Sequence, residues 1–104
     1  MVVVEAANSE IAELPDDMQA RFLRTAELLE ELGPQRVGMP HVRHLEDKLW
    51  ETRFKGRDGI ARAIYFAASR RRLVVVRVFV KKCRTTPRRE MELAKRRMEA
   101  WSHG

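Results

Sequence analysis

The spacing of apolar side chains predicts an amphipathic helix near the beginning of the chain. Apolar residues recur every three or four positions over 18–32, which is the period of one face of a helix. Asp16 and Asp17 fall in the first turn, where the helix dipole favours negative charge. Gly33-Pro34 is typical of a helix end. The pattern therefore predicts a helix over 15–32.

A different period, of two residues, predicts a strand over 49–55. Its apolar positions, expected in the core, are Trp50, Thr52 and Phe54, and its charged positions, expected to face solvent, are Glu51, Arg53 and Lys55. Asp58-Gly59 is a strong hairpin signal, so a second strand is predicted over 60–68. The nearly continuous apolar run over 73–80 predicts a strand that is covered on both faces.

Weaker patterns complete the predicted order of elements. Val2-Val3-Val4 indicates a short first strand, and residues 10–13 a brief helical turn. Residues 34–46 are predicted as a loop, and Thr86-Pro87 as the cap and first position of a last helix. Its buried positions would be Met91, Ala94, Met98 and Trp101. The order β-α-α-β-β-β-α predicts a single α+β domain, with a small antiparallel sheet and helices packed on one side.

Composition narrows the class of protein. The 104 residues contain no apolar run long enough to span a bilayer, so a membrane protein is not expected. The first residues lack a basic segment followed by a long apolar one, so we expect no signal peptide. A single cysteine, Cys83, argues against a disulfide framework or a cysteine-rich zinc site and fits a reducing cytoplasm. His41 and His44 are interpreted as surface histidines rather than metal ligands.

Charge is unevenly distributed along the chain. Residues 1–32 have 2 basic and 8 acidic side chains, residues 33–69 have 7 and 4, and residues 70–104 have 12 and 3, which together give the total of +6. A basic C-terminal third suggests that the partner is a polyanion or an acidic protein. The alternative is that these charges only solvate helix and strand faces.

Cations on the predicted strands are the main candidates for chemistry, because no familiar catalytic motif is present. They are Arg53, Lys55, Arg62, Lys81 and Lys82. If the strands are neighbours, these side chains could form one groove that binds phosphate without regard to sequence. Guanidinium groups there would also stabilise the charge that grows on phosphoryl oxygens during RNA cleavage. The alternative is a groove that only binds phosphate.

Six short motifs occur in a fixed order and together span nearly the whole chain. They are Leu28-Leu29-Glu30-Glu31-Leu32-Gly33-Pro34, Leu49-Trp50-Glu51-Thr52-Arg53, Arg62-Ala63-Ile64-Tyr65-Phe66, Phe79-Val80-Lys81-Lys82, Thr86-Pro87 and Glu90-Met91-Glu92-Leu93-Ala94. This series resembles the RelE/ParE toxin superfamily, and within it the phage-derived HigB-type toxins of bacterial toxin–antitoxin operons. The resemblance implies a barrel-like α+β fold and a metal-independent endoribonuclease without a cofactor. Such a toxin cleaves mRNA on the 70S ribosome in the cytoplasm and is neutralised by a helix-turn-helix antitoxin of HigA type.

The resemblance also implies roles for individual cations. By position, Arg62 matches the strand arginine that stabilises the phosphate in the transition state. Arg53 and Lys55 match the basic strand that orients the scissile phosphate and supplies the base. Lys82, with Lys81, matches the basic end of the last strand, where the family places a residue that aids the leaving group. The further RNA contacts expected are Arg57, Arg77 and Arg84.

Two departures from the family pattern leave the general base and acid open. RelE has a lysine where Glu51 stands, so we expect Glu51 to be structural or adjacent to the base. The aromatic residue or histidine that some members use as acid or base is missing after Lys82, where Cys83 and Arg84 follow.

Two other classes of protein remain as alternatives. ParE-like relatives share the fold but bind DNA gyrase and stall it, and an inactive binding module is the third alternative. The joint presence of the five strand cations favours the nuclease.

Overall fold

The computed structural model describes residues 1–32, 42–57, 59–69, 72–81 and 85–103. Its helices and strands agree with the predicted α+β class. In chain order they are β1 (Val2–Val3), α1 (Glu5–Ala12), α2 (Asp16–Leu32), β2 (Val42–His44), β3 (Leu49–Gly56), β4 (Gly59–Ser69), β5 (Arg72–Lys81) and α3 (Arg88–His103). None of the helices in these ranges is both long enough and apolar enough to cross a membrane.

The five strands form one sheet in the order β1-β5-β4-β3-β2. All neighbouring pairs are antiparallel except β1 and β5, which are parallel. Strand β2 corrects the prediction of a loop over 34–46, since Val42 pairs with Thr52 and its side chain is buried. Three residues are too few for the alternating pattern of a strand to be recognised in the sequence.

Helices cover both faces of the sheet, so the expectation that they pack on one side is wrong. On one face, α1 and α2 enclose side chains that include Phe54, Tyr65 and Val75. On the other face, α3 covers Ile64 and Phe66 through residues such as Ala94 and Met98. The strand β5 runs between the two layers and supplies apolar side chains to each, which explains its continuous apolar sequence.

The N-terminal end of α2 lies tightly against the end of β3. Phe22 of α2 meets Phe54 edge to face, with ring centroids 5.7 Å apart. The backbone N–H of Arg57 donates a hydrogen bond of 2.7 Å to Asp17 Oδ2, and this bond lowers the pKa of Asp17. A Cβ at Gly56 would lie 2.5 Å from Cγ of Met18, so only glycine permits this close approach.

Opposite charges connect the turn before β3 to α3. Glu46 accepts a hydrogen bond of 2.5 Å from Arg88 and another from Lys95. These two hydrogen bonds lower the pKa of Glu46 from 4.5 to about 2, and the bond from Arg88 has the larger effect. The next residue, Asp47, has a φ of 52°, and its Oδ2 lies 3.4 Å from Nζ of Lys95. The carboxylate of Glu46 therefore helps to hold α3 against the sheet when it is ionised.

We expect Gly56→Ala to destabilise the fold by about 1–3 kcal/mol, because an added methyl group must displace buried side chains. Denaturant unfolding of Gly56→Ala, Met18→Ala and the double variant measures the coupling between the two positions. In the Met18→Ala background the added methyl group has room, so its cost should fall. Equal costs in both backgrounds would show that Met18 is not the obstacle.

We expect the Glu46 contacts to make stability fall in acid. The pKa of Glu46 is lowered by folding, so its contribution is complete above pH 4.5 and disappears as the pH falls towards 2. Glu46→Gln should flatten the dependence of the melting temperature on pH within this window. The control is Glu27→Gln, which removes an exposed carboxylate from α2, the helix that covers the other face of the sheet. It should leave the dependence of the melting temperature on pH as in the wild type.

Candidate nucleic-acid interface

The strand register brings predicted site residues together at one end of the sheet. Arg53 of β3 pairs with Arg62 of β4, and the next positions on the same face pair Lys55 with Ile60. Ile60 in turn pairs with Lys81 of β5. Three strands therefore contribute cations to two adjacent rows. We call this set, with Arg57 in the following turn, the basic strand ends: Arg53, Lys55, Arg57, Arg62 and Lys81.

The members of the basic strand ends differ in exposure. Lys55 and Arg57 are exposed, and Arg53 is half-buried. Arg62, by contrast, is only 4% exposed. For Lys81 the backbone alone is described, and it places this residue at the end of β5. Lys82 and Arg84, the other two predicted site residues here, lie outside the described residues.

Burial of Arg62 is made possible by Glu51, which stands two positions before Arg53 on the same face of β3. Glu51 is 1% exposed, so the prediction that the charged face of β3 is open to solvent is wrong at this position. Nη1 of Arg62 donates a hydrogen bond of 2.6 Å to Oε1 of Glu51. The hydroxyl of Thr86 donates to the other oxygen, Oε2. Of the two roles expected for Glu51, structural or adjacent to the base, these two buried contacts support the structural one.

Arg77, which was expected to contact RNA, is held in an internal ion-pair network. Its guanidinium donates hydrogen bonds to Glu10 of α1 and, at 2.8 Å, to Glu90 of α3. These contacts raise the pKa of Arg77, and the hydrogen bond with Glu90 has the largest effect. Glu10 also accepts hydrogen bonds from Arg97 and from the backbone N–H of Val78. Two carboxylates already offset the charge of Arg77, so we exclude it from the phosphate-binding set below.

Sequence patterns did not reveal the role of Glu10 and Thr86. Glu10 was assigned to a brief helical turn, yet its carboxylate joins α1 to the edge of β5. Thr86 was expected to cap the last helix, but its hydroxyl bonds to Glu51 across 35 residues of sequence. The Thr86-Pro87 motif was the only sequence feature that singled out Thr86. It could not show that Glu51 is the partner of the hydroxyl, because that contact depends on tertiary packing.

The histidines offer no metal centre in the described part of the chain. Nε2 of His44 lies 2.7 Å from the carbonyl oxygen of Asp47, and the ring meets Trp50 edge to face at 5.0 Å. His41 lies outside the described residues. Within the described ranges, no three histidine, cysteine, aspartate or glutamate side chains are grouped so that they could hold an ion.

A cavity of about 650 Å³ lies at the other end of the sheet, between β4 and the C-terminal half of α3. Its apolar lining includes Phe66, Met98 and Trp101, and the charged side chains described in the lining are Lys48, Asp47 and Glu99. Such a lining does not suit a phosphate backbone. The basic strand ends are therefore the better candidate for binding a nucleic acid.

Comparison with known families places this arrangement in context. A family model described as "Phage derived protein Gp49-like (DUF891)" matches residues 9–99, which include α2, most of α3, the second half of α1 and, among the described strands, all except β1. The chain belongs to the Gp49-like family. This family is associated with RelE-like toxins, so the resemblance to that superfamily is supported at this level. No curated protein matches the chain.

We expect the Glu51–Arg62 pair of this Gp49-like protein to respond asymmetrically to substitution. Glu51→Ala leaves a buried arginine charge without its carboxylate, and the free energy of unfolding should fall by about 3–5 kcal/mol. Replacing both residues together, as Glu51→Leu with Arg62→Met, should cost less than Glu51→Ala alone. Urea unfolding of the three proteins measures this. A double variant less stable than Glu51→Ala would contradict the ion-pair explanation.

Proposed function

We propose that this Gp49-like protein is the toxin of a HigB-type toxin–antitoxin pair and cleaves mRNA on the ribosome. The observation that carries the proposal is the convergence of strand cations at one end of the sheet, in a chain whose family is associated with RelE-like toxins. Two adjacent rows of cations suit the backbone of RNA, since phosphate contacts are electrostatic and independent of sequence.

In the proposed reaction, the 2′-hydroxyl of the RNA attacks the adjacent phosphorus atom. The 2′ oxygen loses its proton to a base, the bond from phosphorus to the 5′ oxygen breaks, and that oxygen takes up a proton. Negative charge grows on the phosphoryl oxygens, and cations placed beside them lower the barrier. Lys55 and Arg57 bind the phosphate backbone from their exposed positions, and Arg53 meets the scissile phosphate beside Arg62.

The partners of this activity follow from the same proposal. They are the 70S ribosome with its mRNA, in the cytoplasm, and a helix-turn-helix antitoxin of HigA type encoded beside the toxin. The exposed Lys55 and Arg57 are cations that an acidic antitoxin segment could neutralise, because it would compete directly with phosphate.

A ParE-like inhibitor of DNA gyrase is the second candidate, since that class shares the fold. It requires no cations arranged for phosphoryl chemistry. The opposed arginines Arg53 and Arg62, beside Lys55, therefore favour the nuclease.

Arg62→Ala is a poor test of catalysis, although Arg62 is the residue that the family pattern singles out. Its guanidinium is buried against Glu51, so removing it leaves a buried carboxylate without its cation. Loss of toxicity in Arg62→Ala would then report unfolding as much as lost chemistry. Exposed members of the basic strand ends avoid this problem.

We expect Lys55→Ala with Arg57→Ala to abolish most mRNA cleavage while the fold survives, because both side chains are exposed. Their loss should also reduce the slope of log affinity against log salt by about 0.7 for each phosphate contact removed. The measurements are mapping of RNA ends after induction in cells and titration of purified protein with ribosomes. The control is Arg21→Ala with Arg24→Ala, which removes the same charge from exposed positions on α2.

Three outcomes separate the candidates. Codon-positioned cuts that the Lys55/Arg57 double variant loses and the Arg21/Arg24 double variant keeps would support the nuclease. Intact mRNA, together with inhibition of DNA supercoiling by purified gyrase, would favour the ParE-like candidate. Equal cleavage by both double variants would show that the basic strand ends are not the site.

A further inference from the structure

The buried carboxylate of Glu51 connects two parts of the chain that meet at the basic strand ends. One oxygen accepts the 2.6 Å hydrogen bond from Nη1 of Arg62, and the other accepts the hydroxyl hydrogen of Thr86. All three side chains are buried, with Glu51 1%, Arg62 4% and Thr86 7% exposed. With little water to compete, these hydrogen bonds fix the orientation of each group strongly.

The carboxylate of Glu51 reduces the repulsion between two arginines of the sheet. Arg53 and Arg62 stand directly opposite each other on neighbouring antiparallel strands, where side chains leave the backbone about 5 Å apart. Like charges at such positions repel, and the repulsion is largest when one of them is buried. A carboxylate on the same face, bonded to the buried arginine, offsets that repulsion and keeps the two arginines side by side.

Thr86 in turn is held in place by the start of α3. The carbonyl of Pro87 accepts hydrogen bonds from the backbone N–H groups of Glu90 and Met91. The side chain of Glu90 is itself bound by Arg77 of β5. The position of the Thr86 hydroxyl is therefore determined by how α3 packs against the sheet.

We propose that Glu51 is a positioning residue, fixed by Thr86, which aligns Arg62 beside Arg53 for the scissile phosphodiester. This inference rests on the proposed function, and it assigns to the Thr86–Glu51–Arg62 chain the alignment of the arginine pair. Lys55 and Arg57 bind the RNA backbone from exposed positions, so they account for affinity in the ground state. Misalignment of the arginine pair would then lower kcat and leave KM almost unchanged.

The test compares three threonine variants that differ by single groups. Thr86→Val removes the hydroxyl but keeps the shape of the side chain, Thr86→Ser restores the hydroxyl, and Thr85→Val makes the same chemical change at an exposed neighbour. Cleavage of mRNA in programmed ribosomes gives kcat and KM. Thr86→Val should lower kcat on the order of 10- to 100-fold at constant KM. Thr86→Ser and Thr85→Val should stay close to the wild-type values.

A second variant covers the case in which Thr86→Val does not fold. Thr86→Ala also removes the hydroxyl, leaves the Glu51–Arg62 ion pair intact and places no new methyl group against the carboxylate, and it should give the same loss of kcat at constant KM. A wild-type kcat in the folded variants, or an equal loss in Thr86→Val and Thr86→Ser, would overturn the proposal.

A spectroscopic measurement separates failure of this proposal from failure of the proposed function. Hydrogen exchange of the Arg62 guanidinium, followed by NMR of the protein alone, should accelerate at least tenfold in Thr86→Val and not in Thr86→Ser or Thr85→Val. If the wild type cleaves no RNA, the proposed function fails, and the same exchange rates still decide whether Thr86 fixes Glu51 and Arg62. Unchanged exchange in Thr86→Val would reject the positioning role whatever the protein does.

Discussion

The carboxylate of Glu51 is the contact on which the organisation of this protein depends. It is buried against the sheet, and burial of a carboxylate is tolerated only when other groups pair with it. Arg62 and Thr86 supply these partners from β4 and from the residues before α3. The Glu51 side chain therefore connects β3 and β4, which carry most of the basic strand ends, to the segment that leads into α3.

A second set of ion pairs and hydrogen bonds connects α3 to α1 and β5. Glu10 receives hydrogen bonds from Arg77, Arg97 and the backbone of Val78, so α1, β5 and α3 meet at one carboxylate. Both sets follow the same rule, in which an acidic residue on one element compensates arginines on others. Part of the high arginine content is thus used inside the protein, and only the remainder is available to bind a polyanion.

The division between structural and available cations changes the picture of the site. The sequence analysis expects Arg62, Arg77 and Lys55 alike to act on RNA. The structure separates them, because Arg62 is buried against Glu51 and Arg77 is bound by two carboxylates, whereas Lys55 and Arg57 are exposed. Exposed cations that bind phosphate, next to an arginine whose orientation is fixed by a buried carboxylate, are better suited to hold a phosphate in one orientation than a uniform basic surface is.

The sequence by itself determined the class of fold, because periodicity and turn residues are local properties. The spacing over 18–32, the alternation over 49–55 and the Asp-Gly turn predicted α2, β3 and the β3–β4 hairpin within one or two residues. Strand alternation also placed Arg53 and Lys55 on one face. Only the tertiary structure decided that helices cover both faces, that Val42 begins a further strand, and that Glu51 is buried. The reason is physical: a period shows which residues share a face, but what covers that face depends on partners 11, 35 or 67 positions away.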